Sequence, residues 1–252
     1  MWDQFHKSWL ASLASILSDP LQALQNWNSS DQTPCSWNRV TCVNSRVTAL
    51  SLPNSQLRGL IPYGLGTILF LEKLDLSNNY LNGSLPLSIF NATQLRFLDL
   101  SKNLISGVVP ETIGMLQSLQ FINLSDNELE GTLPATLTTI QNPTVVSFKN
   151  NYFSGSLPTG YLNISYNKLS GKIPPQFAEK IPGKATIDFS FNNLTGKVPD
   201  SVDFTNQESK SFSGNSYLCG EVTGHDCLIA SSPSSSPPAI AAIPDNRTIS
   251  WS

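Results

Sequence analysis

Histidine, cysteine and charged residues are all scarce in this chain of 252 residues. It holds two histidines and four cysteines. Charged residues make up 13%, about half the ~25% of an ordinary soluble domain. The net charge of −3 argues against a large basic surface for nucleic acid or for an anionic membrane. Catalytic sites built on histidine pairs or cysteine clusters therefore have little to draw on.

Long apolar runs are absent too. No stretch of about 18 apolar residues occurs, so the sequence predicts no transmembrane helix and no direct membrane insertion by this chain. Residues 1–18 also lack the unbroken apolar segment, preceded by basic residues, of a recognisable signal peptide. Apolar residues recur there at helical spacing instead, which predicts an amphipathic helix. They are Phe5, Trp9, Leu13, Ile16 and Leu17.

The four cysteines form two short-range pairs, one on each side of a leucine-rich centre. Six residues separate Cys35 from Cys42, and seven separate Cys219 from Cys227. These spacings do not match the C-x₂-C pairs that hold tetrahedral zinc. They favour two disulfides over free thiols, and disulfides imply an oxidising compartment.

The centre of the chain is a tandem repeat. Its frame, L-x-x-L-x-L-x-x-N-x-L-x-G-x-x-P, occurs in seven copies between residues 47 and 207, and most copies are 24 residues long. Positions 4 and 6 alternate with polar residues, which predicts a short strand buried on one face. Stacked copies would form a parallel sheet along one side of a solenoid. The expected fold class is therefore an α/β repeat solenoid.

The asparagine at position 9 is predicted to be structural. Its amide can satisfy backbone groups of its own coil and of a neighbouring coil, which would otherwise be buried without partners. The first copy has Ser55 at this position. The expected ladder consists of Asn79, Asn103, Asn127, Asn151, Asn167 and Asn192.

One copy, residues 143–158, is shortened. Asn167 follows Asn151 after only 16 residues, eight fewer than the usual 24. Either the strands still pair across this copy while the preceding loop is pulled inward, or the pairing breaks and the solenoid kinks. We favour pairing, and we expect the core near Leu157 and Leu169 to be left uncovered.

The frame resembles the plant-specific class of leucine-rich repeats, and both flanks resemble caps of plant leucine-rich-repeat receptor-like protein kinases. In the N-terminal cap, Asp19 can cap a helix and Pro20 can open it. Arg39 stands where the family's C-x-W-x-G-V-x-C pattern has glycine, so the turn there could differ. The matching cap residues are Cys35, Trp37, Val40 and Cys42, then Asn215, Leu218, Cys219, Gly220 and Cys227.

The resemblance implies a right-handed superhelix with a parallel β-sheet on its concave face. A helical N-terminal cap would cover residues 1–46, and a short C-terminal cap would cover residues 208–227. Residues 228–252 are similar to the disordered Ser/Pro-rich linker before the membrane helix of such receptors. Family members carry a Ser/Thr-type kinase domain, but no glycine-rich phosphate loop, H-R-D or D-F-G motif occurs here. We expect no catalysis and no cofactor.

The resemblance also implies a function, at the plasma membrane and facing the cell exterior. The chain would be an extracellular binding module without its transmembrane and kinase parts. Its partners would be a peptide, a hormone or a protein ligand, with a co-receptor as a further candidate; no nucleic acid is expected. Two alternatives stay open: a soluble apoplastic inhibitor of cell-wall-degrading enzymes, and a truncated gene product with no independent role.

Binding is expected on the concave face, where positions 3, 5, 7 and 8 are predicted to point to solvent. Exposed aromatic residues beside charges are typical of a recognition patch, although the position-3 aromatics could simply pack on each other. The candidate residues are Lys73, Asp75, Phe97, Asp99, Phe121, Asn123, Val145, Lys149 and Tyr161.

Seven N-x-[ST] sequons mark candidate glycosylation sites. They lie at Asn28, Asn82, Asn91, Asn123, Asn163, Asn193 and Asn246. Asn28, Asn82 and Asn91 are expected on cap or convex positions. Asn123 and Asn163 are expected on the concave strands, where a glycan would obstruct a ligand.

Overall fold

The chain forms a solenoid in which each full coil carries two short strands and a 3₁₀ helix. This computed structural model describes residue 10 and residues 13–140, 143–157, 163–180 and 187–227. Asn246, the linker over residues 228–252, Phe5 and Trp9 lie outside the described residues. The solenoid predicted from the repeat frame is confirmed, with parallel pairing between successive coils.

The concave sheet has six strands, one from each coil after an opening hairpin. The hairpin pairs antiparallel, and every later pair is parallel. The strands are Val40–Val43, Arg46–Ser51, Lys73–Asp75, Phe97–Asp99, Phe121–Asn123 and Val145–Ser147. Beyond Ser147 the pairing continues as single parallel bridges, from Ser147 to Asn163 and from Asn163 to Asp188.

A second sheet, here called the lateral sheet, was not predicted. Its eight parallel strands each follow the position-9 residue or its equivalent, and their glycines have positive φ. The strands are Arg58–Leu60, Tyr80–Ser84, Leu104–Val108, Glu128–Thr132, Tyr152–Gly155, Lys168–Gly171, Asn193–Lys197 and Tyr217–Cys219. Helical structure is short by comparison. Among the described residues, residues 13–16 and Val202–Thr205 are α-helical, and the 3₁₀ helices are Pro34–Ser36, Tyr63–Thr67, Leu87–Asn91, Glu111–Met115, Ala135–Thr139, Pro175–Lys180, Ser209–Phe212 and Glu221–Thr223.

The core changes composition along the solenoid. In the first coils leucine and isoleucine fill the interior, as at Leu74, Leu98 and Ile122. From the shortened copy onward, phenylalanine takes over much of this role. The fully or almost fully buried rings are Phe148, Phe153, Phe177, Phe189, Phe204 and Phe212, and several of them meet edge to face.

The position-9 amides bind two coils at once. Asn103 Nδ2 donates to the carbonyls of Leu100 and Ser101 in its own coil, and to Leu76 in the preceding coil, at 3.0 to 3.2 Å. Its Oδ1 accepts the backbone N–H of Leu81 at 3.0 Å. The same pattern recurs along the described coils, and Asn215 of the C-terminal cap extends it.

The shortened copy keeps its concave side intact. Asn163 pairs with Ser147, which is the register expected if the strands pair across the gap. Asn167 makes the ladder bonds of a full coil: it donates to Phe148 O at 3.1 Å and accepts from Phe153 N at 3.0 Å. The expected uncovered core is wrong at its two named positions, since Leu157 is 4% exposed and Leu169 is 0% exposed. The return segment itself, residues 158–162, is not described.

The predicted helix beginning at Pro20 is also wrong. Residues 20–26 form turns, and Gln22 has a φ of 55°, which interrupts any α-helix. Asp19 still caps this segment, because its carboxylate accepts the N–H groups of Ala23 and Leu24 at 2.9 and 2.8 Å.

The described part of the first helix, residues 13–16, only partly follows the predicted apolar stripe. Leu13 and Leu17 are buried, whereas Ile16 is exposed. The stripe therefore covers a narrower arc than the spacing suggested.

Both caps contain a disulfide. The bonds join Cys35 to Cys42 and Cys219 to Cys227, with Cα–Cα distances of 5.5 and 4.9 Å. Arg39 lies in the loop that the Cys35–Cys42 disulfide closes. Its φ is 67°, so this turn keeps a backbone conformation that glycine would favour.

Among the described residues, no helix combines the length and apolar character needed to cross a membrane.

Candidate binding face

The position-3 row of the concave sheet brings an aromatic pair together. The rings of Phe97 and Phe121 stack with centroids 4.3 Å apart and planes 7° apart. Lys73 Nζ lies 4.9 Å from the Phe97 centroid and covers its other face. Val145, next in register after Phe121, is 41% exposed. Because the faces of Phe97 are covered from both sides, this row presents ring edges to solvent rather than π faces.

Both rings are only partly exposed. The two hypotheses for these residues, recognition and mutual packing, are therefore compatible. Stacking hides part of each ring, and the remaining edges stay accessible from the concave side.

The position-5 row is held in place by the position-7 serines. Asp99 Oδ1 accepts the hydroxyl of Ser101 at 2.6 Å and its N–H at 3.0 Å. Asp75 and Ser77 repeat this arrangement, at 2.8 and 3.2 Å. Asp75 Oδ2 also lies 4.0 Å from Lys73 Nζ. Each carboxylate is thus fixed through Oδ1, and Asp75 Oδ2 also accepts the hydroxyl of Ser51 at 3.4 Å, so the direction of each carboxylate is set before any ligand arrives.

Position 7 does not point to solvent in most described coils, contrary to expectation. The hydroxyl turns back toward position 5 or position 8 and is covered by the neighbouring coils. The buried serines are Ser101, Ser125, Ser165 and Ser190. A serine in a polar stretch carries no sequence signal that separates a solvated hydroxyl from one bonded to its neighbour.

The other candidates lie on the same face. Asn123 is partly exposed, and its Oδ1 accepts the N–H of Ser125 at 3.1 Å. Lys149 is partly exposed and reaches toward the next coil. Tyr161 lies outside the described residues.

A second aromatic stack lies at position 8, nearer the C-terminal end, and was not among the candidates. Tyr166 and Phe191 stack at 4.3 Å with planes 16° apart, and they are 45% and 47% exposed. Lys149 Nζ lies 5.4 Å from the Tyr166 centroid. Both aromatics occupy the same frame position of consecutive copies, which is the signal that could have identified them.

Position 8 has a left-handed backbone in every described coil. Asn78, Asp126 and Asn150 have φ values of 52°, 57° and 54°, and asparagine and aspartate tolerate this region well. Tyr166 and Phe191 adopt it at 56° and 54°, where bulky residues are uncommon. The second stack is therefore held in a costly backbone conformation.

Six sequon asparagines fall within the described residues. Asn28, Asn82, Asn91 and Asn193 are exposed, whereas Asn123 and Asn163 are partly buried on the concave side. Asn163 Oδ1 accepts both the hydroxyl and the N–H of Ser165, at 3.0 and 3.3 Å.

The face offers contact chemistry: ring edges, a fixed carboxylate, and lysines at the border. In the described part of the chain, no group of three or more His, Cys, Asp or Glu side chains is placed to hold a metal ion. Side chains of seven successive coils share the face, so an extended partner would cross several strands.

Sequence models of leucine-rich-repeat families match three parts of the chain. A leucine-rich-repeat N-terminal domain matches residues 7–43, and leucine-rich repeats match residues 70–129 and 159–179. A probable LRR receptor-like serine/threonine-protein kinase of Arabidopsis thaliana is 60% identical over 269 residues. The alignment covers 92% of this chain and 35% of that relative. The chain thus spans about a third of the relative's length.

Solved structures of plant receptors share the fold. The structure of PEPR1 with AtPEP1 has a TM-score of 0.71 and 28% identity, covering 84% of this chain and 31% of that one. The Arabidopsis receptor kinase HAESA, solved with the peptide hormone IDA and the co-receptor SERK1, has a TM-score of 0.55 and 26% identity. That match covers 81% of this chain and 48% of the HAESA chain.

Proposed function

Because this chain belongs to the leucine-rich-repeat receptor-like protein kinases of plants, and corresponds to their repeat region, we propose that it is an extracellular, non-catalytic binding module. Its ligand would be a peptide or a protein segment lying across the concave sheet. A co-receptor is the further partner that we propose. The structure of HAESA with a peptide hormone and a co-receptor supports both parts of this proposal by similarity.

The observation that carries the proposal is the Phe97–Phe121 stack beside fixed carboxylates. An apolar side chain of a ligand can lie against the ring edges and Val145, and remove apolar surface from water. Asp99 Oδ1 is engaged by Ser101, which leaves Oδ2 as the oxygen that can accept an N–H or a cationic group. The expected ligand is therefore an extended chain that combines an apolar side chain with a basic group or backbone N–H.

A receptor role is favoured over an apoplastic enzyme inhibitor. The relative that aligns with 92% of this chain is named as a receptor-like kinase. The two disulfides suit the oxidising conditions outside the cell. We accordingly propose an extracellular location at the plasma membrane.

A displayed library of random linear peptides, selected on the intact chain, tests this function. Recovered peptides should share an apolar residue near a basic one. Phe97→Ala with Phe121→Ala should weaken their binding at least tenfold. Asp99→Asn should weaken it by a smaller factor, since it removes the charge but keeps the oxygen that Ser101 bonds.

The control removes two exposed aromatic rings elsewhere, Tyr63→Ala with Tyr217→Ala. These rings are 63% and 69% exposed and lie off the concave sheet, so peptide binding should not change. Because the Phe97–Phe121 rings are stacked and partly buried, their removal should cost about 1–2 kcal/mol of stability. Melting curves of all variants separate this loss from loss of binding. If selected peptides bind the Phe97–Phe121 variant as they bind the unchanged chain, the proposal is wrong.

A further inference from the structure

The last coil of the solenoid has no described coil after it, which leaves two backbone donors open. In every described coil before it, the N–H at frame position 8 donates to a carbonyl of the next coil, as Tyr166 N bonds Ser190 O at 3.0 Å. In most coils the N–H at position 9 does the same. Gly214 and Asn215 occupy these two positions in the last coil. Neither N–H group bonds a residue that the structure describes.

A cavity of about 390 Å³ lies against these two donors. Its lining comes from the last coil and from the cap that follows it, so it occupies the end of the solenoid. Phe212 and Leu218, both buried, contribute apolar side chains, and Thr223 and His225 contribute polar groups from the C-terminal disulfide loop. The volume falls within the range of roughly 300–1,000 Å³ that small-ligand sites have.

The cavity also has a positive charge at its border. Lys210 lines it, is exposed, and pairs through Nζ with Glu208. The hydrogen bond to Glu208, with the charges of Glu208 and Asp188, raises the pKa of Lys210, so the ammonium stays charged at neutral pH. An ammonium has three donors, so a second carboxylate can bond Lys210 beside Glu208. Open N–H groups and a lasting positive charge therefore share one cavity.

We propose that this cavity binds a carboxylate, supplied by the chain terminus or by an acidic side chain of a peptide. The carboxylate oxygens replace the carbonyls of the missing coil and accept the N–H groups of Gly214 and Asn215. Lys210 compensates the charge, and hydrogen bonds that involve charged groups are the stronger ones. Backbone N–H groups capture carboxylates in this way in other recognition sites.

This site is separate from the Phe97–Phe121 row of the concave sheet. None of its lining residues belongs to that row, so a carboxylate can bind here whether or not a ligand lies on the concave sheet. The two sites are also tested by different variants, so failure of one proposal leaves the other standing.

NMR titration of the isotope-labelled full chain, secreted with both disulfides formed, tests the site. The probes are acetyl-trialanine with a free carboxyl terminus, the same peptide with an amidated terminus, and amidated acetyl-Ala-Glu-Ala. At least one of the two charged peptides should shift the N–H resonances of Gly214 and Asn215 until saturation. The responding peptide identifies the source of the carboxylate, and amidated trialanine should cause no shift.

Two results would overturn the proposal. One is that neither charged peptide shifts these two resonances, or that the neutral peptide shifts them equally. The other is that inorganic phosphate binds more tightly than both charged peptides, because the cavity would then not be a carboxylate site.

A matched pair of lysine variants tests the charge. Lys210→Met should weaken binding of the responding peptide at least threefold, because it removes the charge and keeps a side chain of similar length. Lys197→Met is the control: Lys197 is exposed and pairs with Asp200, but it does not line the cavity. Both variants should melt as the unchanged chain does, since both side chains are exposed. Equal affinities of the two variants would show that the cavity does not use Lys210, contrary to the proposal.

Discussion

Individual residues in this solenoid accept costly backbone conformations so that each coil can close. Arg39 in the N-terminal cap is one example, with a φ of 67° where the resembled family has glycine. In the left-handed region of φ and ψ, a non-glycine residue is destabilised by about 1–2 kcal/mol because its Cβ crowds the following carbonyl. The cap keeps the conformation because the Cys35–Cys42 disulfide and the hairpin at Val40–Val43 fix the chain on both sides.

We predict that Arg39→Gly stabilises the chain by about 0.5–1 kcal/mol. Relief of the left-handed strain exceeds the extra backbone entropy that glycine brings to the unfolded chain. Urea unfolding of both proteins measures the difference. Arg46→Gly, in a β-strand, is the control and should destabilise. A decrease in stability for Arg39→Gly would contradict the argument.

At the scale of elements, the shortened copy shows how a coil tolerates the loss of eight residues. Its ladder asparagine and its bridge to the preceding strand are in place, so the loss falls on the return segment. The shortened copy also has larger side chains in its core. Phe148 occupies frame position 6, where the preceding copies have leucine, and it meets Phe153 edge to face at 5.6 Å.

We predict that exchanging these residues between coils is destabilising in both directions. Phe148→Leu should destabilise by about 1–2 kcal/mol, because it leaves unfilled volume beside Phe153. Leu100→Phe, at the same frame position of a full coil, should also destabilise, by about 1–3 kcal/mol, because that core has no room for a ring. Free energies of unfolding in urea provide the measurement. A neutral Phe148→Leu would show that the ring does not compensate for the shorter coil.

Adjacent 3₁₀ helices are joined by a carboxylate. Glu111 accepts the N–H groups of Thr136 and Ala135 at 3.1 and 3.3 Å, which start the helix of the next coil. The backbone hydrogen bond from Thr136, with the bonds from its side chain and from Ala135, lowers the pKa of Glu111 below the ordinary 4.5. A carboxyl with a lowered folded pKa stabilises above its unfolded pKa, and this contribution is lost as the pH falls through the folded value.

Acidification below about pH 4.5 should therefore loosen the start of the helix Ala135–Thr139. On acidification, amide exchange at Ala135 and Thr136, measured by NMR relative to Leu129, should slow less than base-catalysed exchange alone predicts, so the protection of these two amides falls. Glu111→Gln should remove this extra dependence. Because Glu111 is exposed, the effect should stay local. If Glu111→Gln showed the same extra pH dependence of amide exchange, that dependence would come from another titrating group.

For the molecule as a whole, contacts between coils are mainly those of nearest neighbours, so its two ends behave separately. A disulfide closes each cap. Loops this short contribute about 2–3 kcal/mol in the chain-entropy model. That stabilisation should act on the coils beside each bond.

Removing one bond should accordingly loosen one end. Cys35→Ser with Cys42→Ser should raise amide exchange in Arg46–Ser51 and leave Tyr217–Cys219 unchanged. Cys219→Ser with Cys227→Ser should do the reverse. Hydrogen exchange followed by mass spectrometry provides both readings from one sample. Equal loosening at both ends would show that the solenoid unfolds as a single cooperative unit.

The repeat frame was enough to predict the solenoid, the concave strands and the ladder, because each depends on residues at fixed spacing. It could not show the lateral sheet, whose pairing uses backbone groups of residues as different as Tyr80, Leu104 and Glu128. Of the candidate binding face, the sequence predicted the position-3 row that contains Phe97 and Phe121. The inward serines depend on which neighbour a hydroxyl bonds, and no spacing encodes that choice.

The asparagine ladder has a direction. Each described amide bonds the coil that precedes it in sequence, as Asn127 bonds Leu100 O and Ile105 N, and Asn151 bonds Leu124 O and Leu129 N. A ribosome releases the chain in the same order, so every coil receives its missing partners from the next segment to emerge. The order of synthesis can then set the order in which the coils assemble. No coil needs a distant part of the chain to complete its hydrogen bonds.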